Sequence, residues 1–338
     1  MQAVLPPSPD AGRPEPRLGD LPEPAISPSE VLVAVRAAGL NRADLLQLRG
    51  LYPPPPGESE VPGLECAGVV EAVGAEVDGF RPGDRVMALL AGGGQAQKAA
   101  VPAGQLLPLP ENLSFEEGAA LPEACLTAWT NLVAEGGLEA GEAVLVTGAN
   151  GGVGTMAVQI ARELGARVLA AGRSRGRLAP LRELGAEALL IDEPGLARAV
   201  RDRTGRPERG PERGGGADLV LDLVGGALLA EHLAALRDRG RLILVGLMAG
   251  SRGELDLGEV LRRRLTLRGS VLRSRSRAEK ADLVAAFAAF GVPRLADGRL
   301  RPVVDRVFAL GEIADAYRAL EQGGVTGKVV VRMGTEAP

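Results

Sequence analysis

The chain reads as an α/β protein in which a doubly wound parallel sheet domain is joined to an irregular, β-rich domain. Three observations predict this. Residues 143–177 run strand, glycine-rich turn, helix, strand (AVLVTGANGGVGTMAVQIARELGARVLAAGRSRGR). From about residue 125 onward, short apolar runs alternate with helix-period segments, the order of βαβ units and a parallel sheet. Before that, residues about 29–110 are punctuated at short intervals by proline and glycine, as in an irregular β domain. At 338 residues the chain is long for one core and fits two domains.

The elements follow in order. Strand candidates lie at 31–35 (VLVAV) and 65–73, and the run 83–87 (GDRVM) is a turn feeding a third. The runs at 144–146, 168–171, 189–191, 219–221 and 242–245 are nearly all apolar, as burial on both faces of a parallel sheet requires. A helix is expected over 153–164 and another near 280–290, with strands at 303–307 and 328–332. The run 205–216 (GRPERGPERGGG) is of low complexity and is expected as a surface loop before the fourth strand of the sheet. The tail from about 272 is expected to fold back onto the N-terminal domain.

The glycine-rich turn carries the first chemical reading. Four glycines (148, 151, 152 and 154) between a strand and a helix let the backbone approach a pyrophosphate, which the free N–H groups of the helix start then meet. Ala149 stands where the usual Gly-x-Gly-x-x-Gly spacing has its first glycine, so the flanking strands and helix, more than the spacing, identify a Rossmann-type dinucleotide site. Gly151, Gly152, Val153 and Gly154 are the expected pyrophosphate residues. At the end of the second strand, where NAD enzymes keep an acid for the ribose 2′-hydroxyl, this chain has Gly172, followed by Arg173, Ser174, Arg175 and Arg177. A small residue followed by arginines suits a 2′-phosphate, so NADPH is the expected cofactor.

Composition narrows the rest. Net charge is −4 and aromatic residues are 2% of the chain, which argues against nucleic-acid binding by stacking or by a strong positive field. No apolar run approaches a membrane span, and the proline- and acid-rich N-terminus has no signal pattern, so a cytoplasmic protein is expected. Two cysteines, Cys66 and Cys125, have no basic partner in sequence and are expected to be buried structural residues. One histidine, His232, in a helix-like segment, makes neither a His-rich metal site nor a catalytic triad and is expected at a surface or interface. Only Lys98, Lys280 and Lys328 are lysines among 39 basic residues, a bias that carries no mechanistic weight at this level.

The order of parts resembles the medium-chain dehydrogenase/reductase superfamily and, within it, the zinc-free quinone oxidoreductases. The carrying segments are 41–44 (NRAD), 63–65 (GLE), 79–86 (GFRPGDRV) and the glycine turn. The runs 41–57 (NRADLLQLRGLYPPPPG), 87–97 (MALLAGGGQAQ), 246–248 (GLM) and 272–275 (LRSR) are similar to the tumour-suppressor-inducible quinone oxidoreductase subgroup. The resemblance implies a GroES-like catalytic domain made of 1–123 and 269–338 and a cofactor domain over 124–268. It also implies a homodimer joined through cofactor-domain sheet edges near 265–270.

The resemblance implies site residues too. Zinc-dependent relatives carry Cys where this chain has Asn41 and His where it has Leu64, beside a retained Glu65, and they insert a Cys-rich loop near 90–105 that is missing here. No metal is therefore expected, and Glu65 is expected to be a supporting carboxylate rather than a base. A quinone needs no Lewis acid, because its ring takes up charge by becoming aromatic. Tyr52 is the expected acceptor-site residue, its ring flanking the quinone and its hydroxyl donating. Asn41 and Thr127 are expected at the nicotinamide end, with Gly246, Leu247 and Met248 beside the nicotinamide, Ser174, Arg175 and Arg177 at the 2′-phosphate, and Leu272 and Arg273 approaching from the returning segment. Asp192 stands where close relatives often have a tyrosine near the 2′-phosphate, which opposes the NADPH reading. Two alternatives stay open: an NADPH-dependent reductase of activated C=C bonds (enals, enones, enoyl thioesters), and a catalytically idle NADPH-binding protein with a structural or RNA-binding role.

Overall fold

The structure is a computed structural model that describes residues 1–6, 15–172, 174–190, 195–205 and 215–334. It divides into two compact units, one of residues 1–126 and 272–338 and one of residues 127–271. Arg173, Asp192 and most of the 205–216 run lie outside the described residues.

The second unit is a six-stranded sheet in which every neighbouring pair is parallel. Its central strand, Ala143–Thr147, is buried along its whole length. Arg167–Gly172 and then Glu187–Leu190 lie to one side. Ala217–Asp222, Leu236–Leu244 and Thr266–Gly269 lie to the other. The chain thus builds outward one way, returns to the centre and builds the other way, which puts the switch point between Ala143–Thr147 and Ala217–Asp222. These strands are the apolar runs anticipated at 144–146, 168–171, 219–221 and 242–245. The edge strand Thr266–Gly269 is exposed at every residue.

The first unit holds a mostly antiparallel sheet in the order Val304–Ala309, Lys328–Arg332, Glu30–Leu40, Glu65–Val73, Arg85–Leu89 and Leu106–Pro108. Val31, Val33 and Val35 alternate into its core with Val70, Val86 and Val101. The strand Lys328–Arg332 enters this sheet from the far end of the sequence, second from its edge, and pairs with Glu30–Leu40 on one side and the edge strand Val304–Ala309 on the other. The helix expected near 280–290 runs over Arg277–Ala296. Gly291 does not end it, because the Phe287 ring packs where a side chain at 291 would stand, 2.3 Å from its position.

Candidate active-site residues in the two units

In the second unit the helix Gly152–Glu163 starts directly above the central strand. Its N-cap, Gly151, has no side chain to bond the first-turn N–H groups. A Cβ at Gly154 would lie 2.5 Å from the backbone of Ala149, so glycine here is required by the close approach of helix to turn. This is the cradle a pyrophosphate takes, and it fits the dinucleotide reading of the sequence.

Gly172 is buried at the end of the second strand, and a Cβ there would lie 2.5 Å from the Asn150 side-chain oxygen. Asn150 donates in turn to the backbone oxygen of Arg177 at 2.7 Å. Asn150, which sequence reasoning passed over, would therefore have to shift for any side chain at 172, and it ties the glycine turn to the Arg175–Arg177 turn. Ser174 accepts the Arg177 N–H on its backbone oxygen at 3.0 Å and is half-buried. Gly246 follows the strand Leu236–Leu244, and Leu247 and Met248 beyond it are exposed. Thr127 is buried and accepts from the Asn131 amide at 2.7 Å on its backbone oxygen.

Beneath the switch point lies a buried polar network. Asp222 accepts from Thr147 Oγ1 at 3.0 Å, from the N–H groups of Val224 and Gly225 at 2.9 Å each, and pairs with His232 Nδ1 at 2.9 Å. Burial alone would raise the Asp222 carboxyl, but the His232 bond and charge and the two N–H groups hold it below its ordinary value. His232 is fully buried, which corrects the expectation of a surface or interface residue. The helix Leu229–Ala234 turns it inward because the Asp222 carboxylate needs a partner where no water reaches.

In the first unit Asn41 stands before the helix Arg42–Leu48, and its N–H donates to Asp44 Oδ2 at 2.7 Å. Its side chain donates from Nδ2 to Glu65 Oε1 at 2.9 Å and accepts on Oδ1 from Lys328 Nζ at 2.6 Å. Lysine can only donate and an ionised carboxylate only accept, so the orientation of this amide is fixed by charge. One Asn41 N–H remains beyond its bond to Glu65. Lys328 also pairs with Glu65 Oε1, while Glu65 Oε2 accepts the Glu123 N–H at 2.9 Å. Glu65 is fully buried and Lys328 is 5% exposed, so this is a desolvated ion pair. Sequence reasoning missed Lys328.

Asp44 is also fully buried. Burial raises its carboxyl to about 6, against the opposing pull of the Asn41 N–H and the Lys328 charge. Leu64, at the relatives' histidine position, is buried. Cys66 and Cys125 are buried thiols, and burial pushes Cys66 up to about 12. Among the described residues no cluster of three or more His, Cys, Asp or Glu could hold a metal ion.

Tyr52 is half-buried at the head of a proline loop. Burial and the Glu123 charge raise its hydroxyl, and Arg273 opposes them. The Arg273 guanidinium carbon lies 5.1 Å from the Tyr52 ring centre. Arg273 is 3% exposed and donates to Ala91 O at 2.8 Å, Tyr52 O at 2.8 Å and Gln47 Oε1 at 2.6 Å. The preceding Leu272 is buried in the same unit. The structure thus brings Tyr52, Arg273 and Gln47 together in one cluster and Asn41, Glu65 and Lys328 in another.

Comparison with known proteins identifies the family. The alcohol dehydrogenase GroES-like domain family matches residues 27–111, and the zinc-binding dehydrogenase family matches residues 152–289. The chain is 32% identical to the quinone oxidoreductase of Sus scrofa and 31% identical to that of Homo sapiens, over 92% of this chain and 92% of each relative. It is 36% identical to a segment of the spectinabilin polyketide synthase system protein NorB of Streptomyces orinoci, over 98% of this chain but only 14% of that protein. Among solved structures, the quinone oxidoreductase of Thermus thermophilus, determined also in complex with NADPH, superposes with a TM-score of 0.78 at 39% identity, over 98% of this chain and 100% of that one. The quinone oxidoreductase of Pseudomonas syringae pv. Tomato gives a TM-score of 0.83 at 29% identity, over 98% and 100%. The chain is an oxidoreductase of the medium-chain dehydrogenase/reductase superfamily, with the quinone oxidoreductases among its relatives.

Proposed function

We propose that this protein reduces small 1,2- or 1,4-quinones with NADPH and without a metal. The observation that carries the reading is the state of the relatives' metal-ligand positions. Leu64 is apolar and buried, and Asn41 and Glu65 are engaged by the chain's own cation, Lys328. Residues engaged in this way offer a metal no ligand set, which suits an acceptor activated by its own conjugation, as a quinone is.

The cofactor would be held in the second unit by Gly151, Gly152, Val153 and Gly154 at the pyrophosphate, with Ser174, Arg175 and Arg177 at the 2′-phosphate. The crowding at Gly172 supports NADPH over NADH, because a ribose-binding acid there would have to displace the Asn150 side chain from its bond to Arg177 O. Gly246, Leu247 and Met248 would lie at the nicotinamide end, where strand carboxyl ends take ligands. Bound there, the nicotinamide supplies a hydride. In the first unit the Tyr52 ring flanks the acceptor and its hydroxyl donates to the acceptor oxygen, where negative charge develops. The remaining N–H of Asn41 is a fixed donor. The first unit is thus the acceptor domain and the second the cofactor domain. The exposed edge strand Thr266–Gly269 and the helix Leu257–Arg263, which buries no residue, support a homodimer joined at that edge. A cytoplasmic location fits the absence, among the described residues, of any helix able to cross a membrane.

The test is NADPH oxidation at 340 nm against quinones, enones and enals, with Tyr52→Phe alongside. Turnover confined to quinones and weakened by Tyr52→Phe is the expected result, and inert quinones would overturn it. A second reading, reduction of activated C=C bonds, is favoured by the similarity to a polyketide synthase system protein, because polyketide assembly handles acyl thioesters. Turnover of enones or enals alone would select it.

A further inference from the structure

The segment from Tyr52 to Glu60 is held at both ends through one side chain. Arg273 Nη1 donates to Tyr52 O at 2.8 Å at the near end. At the far end Gln47 Nε2 donates to Glu60 O at 2.9 Å, and Gln47 Oε1 accepts from Arg273 Nη2 at 2.6 Å. The third bond, Arg273 Nε to Ala91 O at 2.8 Å, anchors the guanidinium to the segment after the strand Arg85–Leu89. Because arginine only donates, the Gln47 amide has one possible orientation, with its N–H groups toward Glu60.

All three acceptors are neutral oxygens, and Arg273 is 3% exposed. A buried guanidinium bonded only to neutral groups keeps its charge available to its surroundings. The nearest aromatic face is Tyr52, 5.1 Å from the guanidinium carbon. Burying a cation in this way is costly, and three carbonyl-type acceptors in a fork offset that cost only while the loop stays in place.

We infer that Arg273 is a positioning residue for the acceptor, latching the Tyr52 loop at both ends through Gln47 and setting its positive charge against the Tyr52 ring. This rests on the role proposed for Tyr52. It differs from the cofactor contact that the resemblance implies for Arg273, since the guanidinium bonds described are all made inside the first unit. Two effects follow from the one side chain. The hydroxyl is held at a fixed place, and it is a stronger donor than burial beside Glu123 would leave it, because a cation favours negative charge on the phenol oxygen.

The chain has only two tyrosines, Tyr52 and Tyr317, so a Tyr317→Phe background leaves one optical reporter at the site. The experiment is Arg273→Lys in that background, followed by tyrosinate absorbance against pH and by steady-state kinetics. Lysine keeps the charge and cannot reproduce the fork. The expected result is a Tyr52 midpoint falling toward the ordinary value of about 10 as the loop opens to water. The kcat/KM for the quinone falls at least tenfold, while the KM for NADPH stays within twofold. Should Arg273→Lys fail to fold, Gln47→Leu removes the far end of the latch and is expected to move the midpoint in the same direction by less. An unmoved midpoint in the folded variants overturns the latch. A moved midpoint with unchanged quinone kinetics overturns the positioning role. In that case full activity of Tyr52→Phe would place the error in the role of Tyr52, and a weakened Tyr52→Phe would place it in Arg273.

Discussion

Two of the three lysines in this chain, Lys280 and Lys328, are buried, while its many other basic residues are arginines. At Lys328 the reason is geometric. The ammonium fits between Asn41 Oδ1 and Glu65 Oε1, two acceptors on different elements, where a planar fork would need more room. Lys328→Met leaves Glu65 charged and buried with no cation, and the expected loss is about 3–5 kcal/mol in chemical denaturation. Lys328→Arg is expected to recover less than half of it. The same cluster gives a pH dependence. The Asp44 carboxyl sits at about 6 in the folded chain, above its ordinary value of 3.8. Between those values the folded state holds a proton that the unfolded state has lost, so this group's contribution to stability falls as pH rises from about 4 to 6 and is flat above. The difference is on the order of 3 kcal/mol. Asp44→Asn is expected to flatten that slope, read as denaturation midpoints at pH 4, 5, 6 and 7; an unchanged slope would assign it to another group. The rarity of lysine was visible in the sequence, but it carried no mechanistic weight there and did not single out Lys328. What was not visible is its partner, because Asn41 and Glu65 are brought to it only by the pairing of distant strands.

At the scale of elements, the sequence was most legible where a single physical cause acts locally. Apolar runs between turns gave the strands around Ala143–Thr147, because burial on both faces leaves no other composition. The glycine turn was legible for the same reason, since its shape is set by steric room. Legibility failed where a neighbour in space decides. The helix expected near 280–290 runs on to Ala296, with Gly291 as a seat for Phe287. His232 reads as a surface residue of a short helix and is the partner of Asp222. Asn150 drew no reading from the sequence, and its side chain crowds the space beside Gly172. This last contact is testable. Gly172→Asp, in an Asn150→Ala background that opens the space, is expected to lower the NADPH-to-NADH ratio of kcat/KM at least tenfold. An unchanged ratio would move the origin of cofactor preference to the Arg175–Arg177 turn.

At the scale of the whole molecule, the two-part α/β architecture was legible from alternation and punctuation, and the resemblance brought the returning tail to the site, whereas the partners that Arg273 takes there were not legible. Nothing in the run 272–275 announces that Arg273 bonds residues more than 180 positions earlier. The helix Leu257–Arg263 leaves Leu257 and Leu261 more than 70% exposed, next in sequence to the unpaired edge Thr266–Gly269. Exposed leucines beside an open sheet edge form a surface that a monomer rarely leaves uncovered. Leu261→Glu is expected to convert a dimer into a monomer by light scattering, and a wild-type monomer would rule out this assembly.

The place of the strand Lys328–Arg332 between Val304–Ala309 and Glu30–Leu40 bears on how the chain comes off the ribosome. All of residues 127–271 is synthesised before this strand exists, so the second unit can finish folding while the first waits with Glu65 uncompensated and two sheet edges open. During that interval the unfinished first unit is the aggregation-prone species, and a nascent chain stalled a few residues short of Lys328 would remain a client of chaperones rather than a half-active enzyme.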